Sequence, residues 1–371
     1  MNDDIGPLLE SKKAKAELNE VYKPAFFRIY DKEEKDKLHA LLQSMPGIEV
    51  FDELYGQLRE LVKSLNPTVM FTEELYQEYI RIHLAGRSER EYGVWVFYPW
   101  SKRLVHTLDE EEYIEIRTNR NRNKITTEER LLLAQKRVGV IGLSVGQSVA
   151  LTMTMERSYG EIRLADFDII EVSNLNRIRT GIHNMNIKKS VITAREIMEI
   201  DPFLKVTCFP EGINEHNLEA FITKDGQLDA IIEECDSLDV KINSRLIAKK
   251  MKIPVIMDTS DKGMIDIERF DLTPERPILH GLLKDFDLSN LKNITPEKRM
   301  EIIYAVLDKN RISKRFRSSI EQIGKTITTW PQLASSVIAG GANTADVYRR
   351  MMLGGLQNSG RYYIDLEELI N

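Results

Sequence analysis

Small residues follow a short apolar run in the middle of the chain, and together they could bind a phosphate group. The run is Arg137–Ile141, whose valines and isoleucine are typical of a buried parallel strand. Gly142, Ser144 and Gly146 then supply a tight turn, and a segment suited to a helix follows. Because free backbone N–H groups and the helix dipole point out of a helix N-terminus, this arrangement predicts an anion-binding site.

A second strand-like segment ends in Asp166 and Asp168, about twenty residues after the turn. An acidic side chain at that distance commonly binds a ribose hydroxyl in a Rossmann nucleotide-binding unit. The turn lacks the strict GxGxxG pattern, because Ser144 and Gln147 occupy its third and sixth positions. Taken alone, the turn could be an ordinary tight turn, and the acidic strand end is what favours a nucleotide.

The segment Ala165–Ile178, ADFDIIEVSNLNRI, carries a more specific pattern. It resembles the signature of the ThiF/MoeB/ubiquitin-activating enzyme superfamily, D-x-D-x-V-E-x-S-N-L-x-R. Lys189 stands thirteen residues before Pro202, which is the spacing found in that family. Asp236 occupies the position of the second Asp in the family's D-x-x-D-N segment, with Ser237 where Asn is usual.

The resemblance implies that the chain binds ATP and Mg²⁺, and it implies a role for each matching residue. The small-residue turn would hold phosphate, and the acidic strand end would bind the ribose. Donors and cations close to that strand end suit an α-phosphate that gains charge during attack, and a carboxylate suits Mg²⁺. The implied ligands are Gly142, Ser144 and Gly146 for phosphate, Asp166 and Asp168 for ribose, Asn174, Arg177 and Lys189 for the α-phosphate, and Asp236 for the metal.

Structural roles for these residues are the alternative. Asp168 and Glu171 could only cap the loop, and Arg177, Lys188 and Lys189 could be surface cations or ion-pair partners. The order in which they occur, rather than any single residue, favours nucleotide binding.

A basic run precedes the first strand of this unit and includes Arg120 and Arg122. A solvated charged loop is one interpretation. The other comes from the resemblance, since family members use an Arg from this region to reach the ATP phosphates of the partner subunit. Either arginine could have that role, which implies a functional homodimer.

The number and positions of the cysteines limit which cysteine-dependent chemistry is expected. The chain has two cysteines, Cys208 and Cys235, so neither a disulfide framework nor a paired CxxC zinc site is expected. No cysteine follows Cys235, which argues against the thioester step of many relatives. His280 is a weak candidate for a functional side chain in the later loop.

Composition is that of an ordinary globular protein of 371 residues with a formal net charge of −6. This balance does not suggest a nucleic-acid-binding protein. The N-terminal residues lack the features of a signal peptide, and no apolar run is long enough to span a membrane. We therefore expect a cytoplasmic protein.

Two regions are predicted. Residues 1–118 form an N-terminal α+β extension, with helices over 32–44, 50–65 and 72–85 and a hairpin that turns near 99–102. Its aromatic residues and His106 are interpreted mainly as hairpin packing. Residues 119–371 alternate strands and helices, which predicts an α/β fold with a Rossmann-like, open, mostly parallel sheet, helices on both faces and a closing C-terminal helix.

The favoured function is ATP- and Mg²⁺-dependent adenylation of a carboxylate, such as a peptide or small-protein C-terminus, without a cysteine thioester. A nucleotide-sensing or partner-binding protein with a degenerate ATP site is the alternative, because the glycine turn is incomplete. An NAD-linked oxidoreductase is a third possibility, against which the S-N-L-N-R run argues.

Overall fold

A computed structural model describes residues 5–11, 16–288, 291 and 294–370. The chain divides into two compact units, Met1–Thr126 and Thr127–Asn371. This division lies somewhat later than the sequence-based boundary after residue 118, beyond the 3₁₀ turn Asn119–Asn121.

The N-terminal unit combines short helices with a four-stranded sheet in the order β1-β3-β4-β2. β2 runs parallel to β4, and the other two pairings are antiparallel. Its helices are α1 Gly6–Ser11, α2 Lys32–Ser44, α3 Leu54–Leu65, α4 Glu73–Leu84 and α5 Glu110–Arg117, and its strands are β1 Ala25–Phe27, β2 Glu49–Asp52, β3 Val94–Tyr98 and β4 Arg103–Thr107.

One predicted helix of this unit was too long. The apolar spacing correctly marks α3, whose Leu58 and Leu61 are buried. However, residues 50–52 belong to strand β2, because their backbone groups pair with the edge of β4. That pairing joins positions more than fifty residues apart in sequence, for instance Val50 and Leu104, and a local helical period carries no information about it.

His106 and the hairpin aromatics are packed, as expected. The His106 ring stacks on Trp95 with 4.1 Å between ring centroids. Its Nδ1 lies 2.9 Å from the Asp52 carboxylate and its Nε2 lies 2.7 Å from the backbone oxygen of Tyr92. Both ring nitrogens therefore have structural partners.

The C-terminal unit contains a seven-stranded sheet in the order β11-β10-β9-β8-β5-β6-β7. The central pairings from β9 to β7 are parallel, and β10 and β11 add an antiparallel edge. The strands are β5 Arg137–Ile141, β6 Glu161–Ala165, β7 Lys205–Phe209, β8 Ala230–Glu233, β9 Val255–Thr259, β10 Met264–Glu268 and β11 Gly360–Tyr363. The predicted Rossmann-like, mostly parallel sheet is confirmed.

Helices cover this sheet. They are α6 Thr127–Leu133, α7 Gly146–Glu156, α8 Lys189–Ile200, α9 Leu218–Thr223, α10 Leu238–Met251, α11 Pro296–Leu307, α12 Lys314–Ile320, α13 Ala334–Met352 and α14 Leu366–Ile370. α7 packs against both α8 and α13 on one face. Strand order progresses from β5 to β7 and then reverses to β8 and β9, so right-handed crossovers put α9 and α10 on the other face.

The point of reversal lies between β5 and β8. In an open parallel sheet, the loops at the carboxyl ends of the two strands at such a point separate and leave a crevice for a ligand. Across the described ranges, no helix is both long and apolar enough to cross a lipid bilayer.

Candidate nucleotide-binding site

A cavity opens where the sheet reverses, at the carboxyl ends of β5, β6 and β8. Its wall includes the turn after β5, the acidic end of β6 and the segment after β8. The residues that line it are Ile141, Gly142, Ser144, Ala165, Asp166, Phe167, Asp168, Gly212, Ile213, Glu234, Cys235, Asp236, Ser237 and Val240.

Gly142 allows the turn to pass close to β8. Its φ is +85°, in the left-handed region that favours glycine. A Cβ at this position would lie 2.8 Å from the backbone N of Cys235 and from the carbonyl group of Glu234. Because of this close approach, the small-residue turn after β5 and the end of β8 form one wall of the cavity.

Asp166 holds the turn in place. One carboxylate oxygen accepts a hydrogen bond from Leu143 N at 2.7 Å, and the other accepts one from Asp168 N at 2.8 Å. Burial raises the pKa of Asp166, although the Lys189 cation partly offsets this. Each oxygen keeps a second acceptor position, so Asp166 can fix the turn and still accept from a ribose hydroxyl.

Lys189 brings a buried cation to the same place. It is the first residue of α8 and only 4% exposed. Its Nζ donates to the Asp168 carboxylate at 2.7 Å and to Ser144 Oγ at 3.0 Å. The Asp168 side chain is half exposed, so an incoming phosphate can compete with it for the ammonium group.

Arg177 follows a 3₁₀ turn that Asn174 stabilises. Asn174 is buried, and its side-chain oxygen accepts from Glu171 N at 3.0 Å. Arg177 Nη1 donates to Asn176 at 2.8 Å, while its buried Nε has no hydrogen-bond partner. Burial lowers the pKa of Arg177 and Asp236 opposes that shift. A half-buried guanidinium with an unused donor is suited to an anion.

Gln147 explains why the strict glycine pattern is absent. This side chain is buried, and its amide donates to Arg179 O at 3.1 Å and accepts from Arg179 N at 2.8 Å. The two bonds join α7 to the loop that carries Arg177. Sequence reasoning treated Gln147 as a lost glycine and missed this contact, which is made across more than thirty residues.

Asp236 stands at the mouth of the cavity, two residues beyond Glu234, with an exposed side chain. Partial desolvation raises the pKa of its carboxyl, and the nearby Lys241, Arg177 and Lys189 cations act in the opposite direction. Mg²⁺ typically takes one or two carboxylates and completes its shell with water and substrate phosphate oxygens. Asp236 fits that pattern, and no group of three or more potential metal ligands occurs among the described residues.

A buried ion network supports the end of β8 and was not expected from the sequence. Glu233 accepts from Lys241 at 2.7 Å and from Arg245 at 2.6 Å, and Arg245 also pairs with Glu268 at 2.5 Å. Burial alone would raise the pKa of Glu233, but the two cations outweigh it and lower the pKa to about 2. These residues were hard to find because their partners lie on separate elements.

The remaining candidates lie elsewhere. Arg120 is exposed on the 3₁₀ turn Asn119–Asn121 of the N-terminal unit, and Arg122 in the same unit pairs with Glu115. His280 contacts the Asp266 carboxylate at 2.9 Å and does not line this cavity.

An open parallel sheet with this cavity at its reversal point defines a Rossmann-like fold, in which ligands commonly bind in such a crevice. Residues 118–297 match the model of the ThiF family. This segment of the chain is therefore similar to the ThiF family.

Two curated proteins are similar to this chain over part of their length. The uncharacterized protein MT1398 of Mycobacterium tuberculosis (strain CDC 1551 / Oshkosh) is 38% identical over 333 residues, which are 89% of this chain and 44% of that protein. The tRNA threonylcarbamoyladenosine dehydratase of Escherichia coli (strain K12) is 25% identical over 143 residues, 38% of this chain and 53% of that protein. The chain thus spans about half the length of the curated relatives it matches.

One solved structure shares the fold, and a second is similar to a lesser degree. The crystal structure of PaaA has a TM-score of 0.50 at 20% identity, and the match covers 70% of this chain and 81% of that chain. A crystal structure of the E. coli dehydratase in complex with ATP has a TM-score of 0.49 at 16% identity, over 66% of this chain and 96% of that chain.

Proposed function

We propose that this protein uses ATP and Mg²⁺ to adenylate a carboxylate, such as the C-terminus of a peptide or small protein. The observation that carries the proposal is the convergence of three features at one cavity. The small-residue turn and the Asp236 carboxylate lie in its wall, and the buried Lys189 cation donates to Ser144 of that turn. The match of residues 118–297 to the ThiF family model also supports it, as does the E. coli dehydratase, a relative by sequence that has been crystallised with ATP.

In this reaction, a carboxylate oxygen attacks the α-phosphorus of ATP. The bond between that phosphorus and its bridging oxygen breaks, and pyrophosphate leaves with the electron pair. Lys189 and Arg177 donate to the phosphate oxygens, where negative charge accumulates in the transition state. Asp166 and Asp168 orient the ribose. Mg²⁺, held by Asp236, would neutralise phosphate charge when bound.

We propose that the active unit is a homodimer. One N-terminal arginine of each subunit would then reach the ATP phosphates of the other, as the family resemblance implies. Arg122 already pairs with Glu115, so Arg120 is the better candidate for this contact.

Pyrophosphate exchange into ATP tests the function. With Mg²⁺ and a lysate of the source cells, we expect the protein to catalyse exchange, and Asp236→Asn to lower the rate by about two orders of magnitude because metal binding is lost. Asp239→Asn is the matched control, since Asp239 is a nearby carboxylate that does not line the cavity. ATP binding without exchange under every condition would favour a nucleotide sensor or partner-binding protein, and preferential binding of NAD would favour an oxidoreductase.

Cys235 is not suited to a thioester step, and this yields a separate prediction. Its Sγ donates to the Glu233 carboxylate at 3.0 Å, and burial, followed by the charge of Glu233, raises the pKa of the thiol well above its usual value. We expect iodoacetamide at pH 7.5 to alkylate Cys235 at least about tenfold more slowly than free cysteine, because the thiolate is the reactive form.

Mass spectrometry of the modified protein measures that rate, and Cys235→Ala should keep pyrophosphate exchange within about threefold of the wild type. Fast alkylation accompanied by loss of product formation, with exchange intact, would instead indicate a cysteine nucleophile.

A further inference from the structure

A second cavity adjoins the nucleotide site and shares part of its wall. Residues 234–236, which follow β8, line both cavities. Val145 of the small-residue turn lines the second cavity, whereas Ser144 beside it lines the nucleotide site. The two cavities therefore meet at the turn that is proposed to hold phosphate.

A hydrogen bond joins the second cavity to the loop that carries Arg177. The side-chain nitrogen of Asn176 donates to the backbone oxygen of Gln332 at 2.8 Å, and Gln332 lines the second cavity. The side-chain oxygen of Asn176 accepts from Arg177 Nη1, also at 2.8 Å. Because Arg177 is the proposed donor to the α-phosphate, these two bonds bring the wall of the second cavity close to the place where a carboxylate would attack.

Apolar side chains form much of the wall of the second cavity. Phe316 and Trp330 stack with 5.5 Å between their ring centroids, which gives one side of the cavity a flat aromatic surface. Further apolar residues of the lining are Met257, Met264, Ile303, Val306, Leu307 and Ile312. The cavity has a volume of about 140 Å³, and an apolar cavity of about 150 Å³ can hold one benzene ring. Its size and lining therefore suit a single aromatic ring.

Arg311 is the residue of the lining that could favour a different ligand. Its guanidinium carbon lies 3.9 Å from the centroid of the Tyr363 ring, and it has no acidic partner among the residues that the structure describes. A second carboxylate on the substrate could therefore bind there. The lining also contains the carboxylates of Asp236 and Asp261, so its charge does not favour an anion, whereas its apolar surface favours a ring.

We propose that the second cavity binds the side chain next to the reacting carboxylate, and that this side chain carries one aromatic ring. This assignment rests on the adenylation proposed above and identifies the class of carboxylate that is adenylated. A peptide that ends in phenylalanine, or an arylalkanoic acid, would pack its ring on Phe316 and Trp330 while its carboxylate points to the α-phosphate. Burial of the ring favours such a substrate over one that ends in glycine.

Acyl sulfamates of adenosine test this assignment, because they are stable analogues of an acyl adenylate and bind without turnover. Isothermal titration calorimetry with the full chain would compare three of them, which carry an acetyl, a 3-phenylpropanoyl or a glutaryl group. We expect the 3-phenylpropanoyl compound to bind at least about tenfold more tightly than the acetyl compound, because its ring is buried. The glutaryl compound, whose second carboxylate could reach Arg311, should gain less than about threefold.

Each other outcome contradicts a different part of the proposal. Binding of the acetyl compound without a gain from the phenyl ring would overturn the aromatic subsite and leave adenylation intact. A larger gain from the glutaryl group than from the phenyl ring would replace the aromatic side chain by an anionic one. No binding of any acyl sulfamate would contradict adenylation itself, and the subsite with it.

Two substitutions locate the ring. Trp330→Ala should bring the affinity for the 3-phenylpropanoyl compound to within about threefold of that for the acetyl compound. The affinity for the acetyl compound should change less than about twofold, because Trp330 does not line the nucleotide cavity. Tyr362→Ala is the control, since Tyr362 is a half-exposed aromatic residue that does not line the second cavity, and it should keep the preference. A preference that survives Trp330→Ala unchanged would contradict the position of the ring.

Discussion

Lys189→Ala is expected to reduce pyrophosphate exchange by about a hundredfold to a thousandfold, the usual cost of removing one preorganised donor from a developing negative charge. The Nζ donates to Ser144 of the turn and to Asp168, and both of these residues line the cavity. Its ammonium group can move from Asp168 to a phosphate oxygen with little change of position. Loss of the cation should therefore affect the transition state more than the folded state.

The neighbouring lysine provides the control. Lys188 Nζ donates to the backbone oxygen of Phe167 at 2.6 Å, whereas Lys189 Nζ donates to Ser144 of the turn. Lys188→Ala should keep exchange within about threefold of the wild type, and Lys189→Ala should lower the free energy of unfolding by no more than about 1 kcal/mol, since Asp168 is half exposed. Similar losses in both variants, or more than a tenth of wild-type exchange in Lys189→Ala, would contradict this role.

The sequence predicts the proximity of those candidate residues that follow the ends of neighbouring parallel strands. The turn at Gly142, the strand end at Asp166 and the segment with Asp236 come together because parallel strands that meet at a reversal point present their carboxyl ends on one edge. The positions of these residues in the sequence, each just after a strand, therefore already indicate that they lie close together in space.

Side-chain partners between elements could not be predicted in the same way. Gln147 was interpreted as a missing glycine, whereas it bonds to the backbone of Arg179. Asp258 lies near the end of the mostly apolar strand β9, and nothing local shows that its carboxylate meets Gly340 without a counter-ion. Such contacts depend on the packing of separate elements, which local periodicity does not encode.

Arg245→Met is expected to destabilise the C-terminal unit by about 3–5 kcal/mol at pH 7, because it leaves buried carboxylates without their shared cation. Arg245 is fully buried between Glu233 and Glu268. Lys241 can still neutralise Glu233, so the loss of the cation destabilises the charged form of Glu268 more than that of Glu233. Urea-induced unfolding followed by circular dichroism measures the change. Arg350→Met is the control, since Arg350 is exposed and makes only a 3.5 Å ion pair with Asp346.

The pH dependence distinguishes a lost charge pair from lost packing. In the wild type, the pKa of Glu233 is lowered to about 2, so its contribution to stability is present above the unfolded-state pKa and is lost as the pH falls toward 2. In Arg245→Met, the absent cation raises the folded-state pKa of Glu268, and the folded protein then binds more protons than the unfolded chain. The destabilisation should therefore be smaller at pH 5 than at pH 7, and Glu268→Gln should recover part of it at pH 7. A loss that does not change between these pH values would show that Arg245 acts through packing rather than charge.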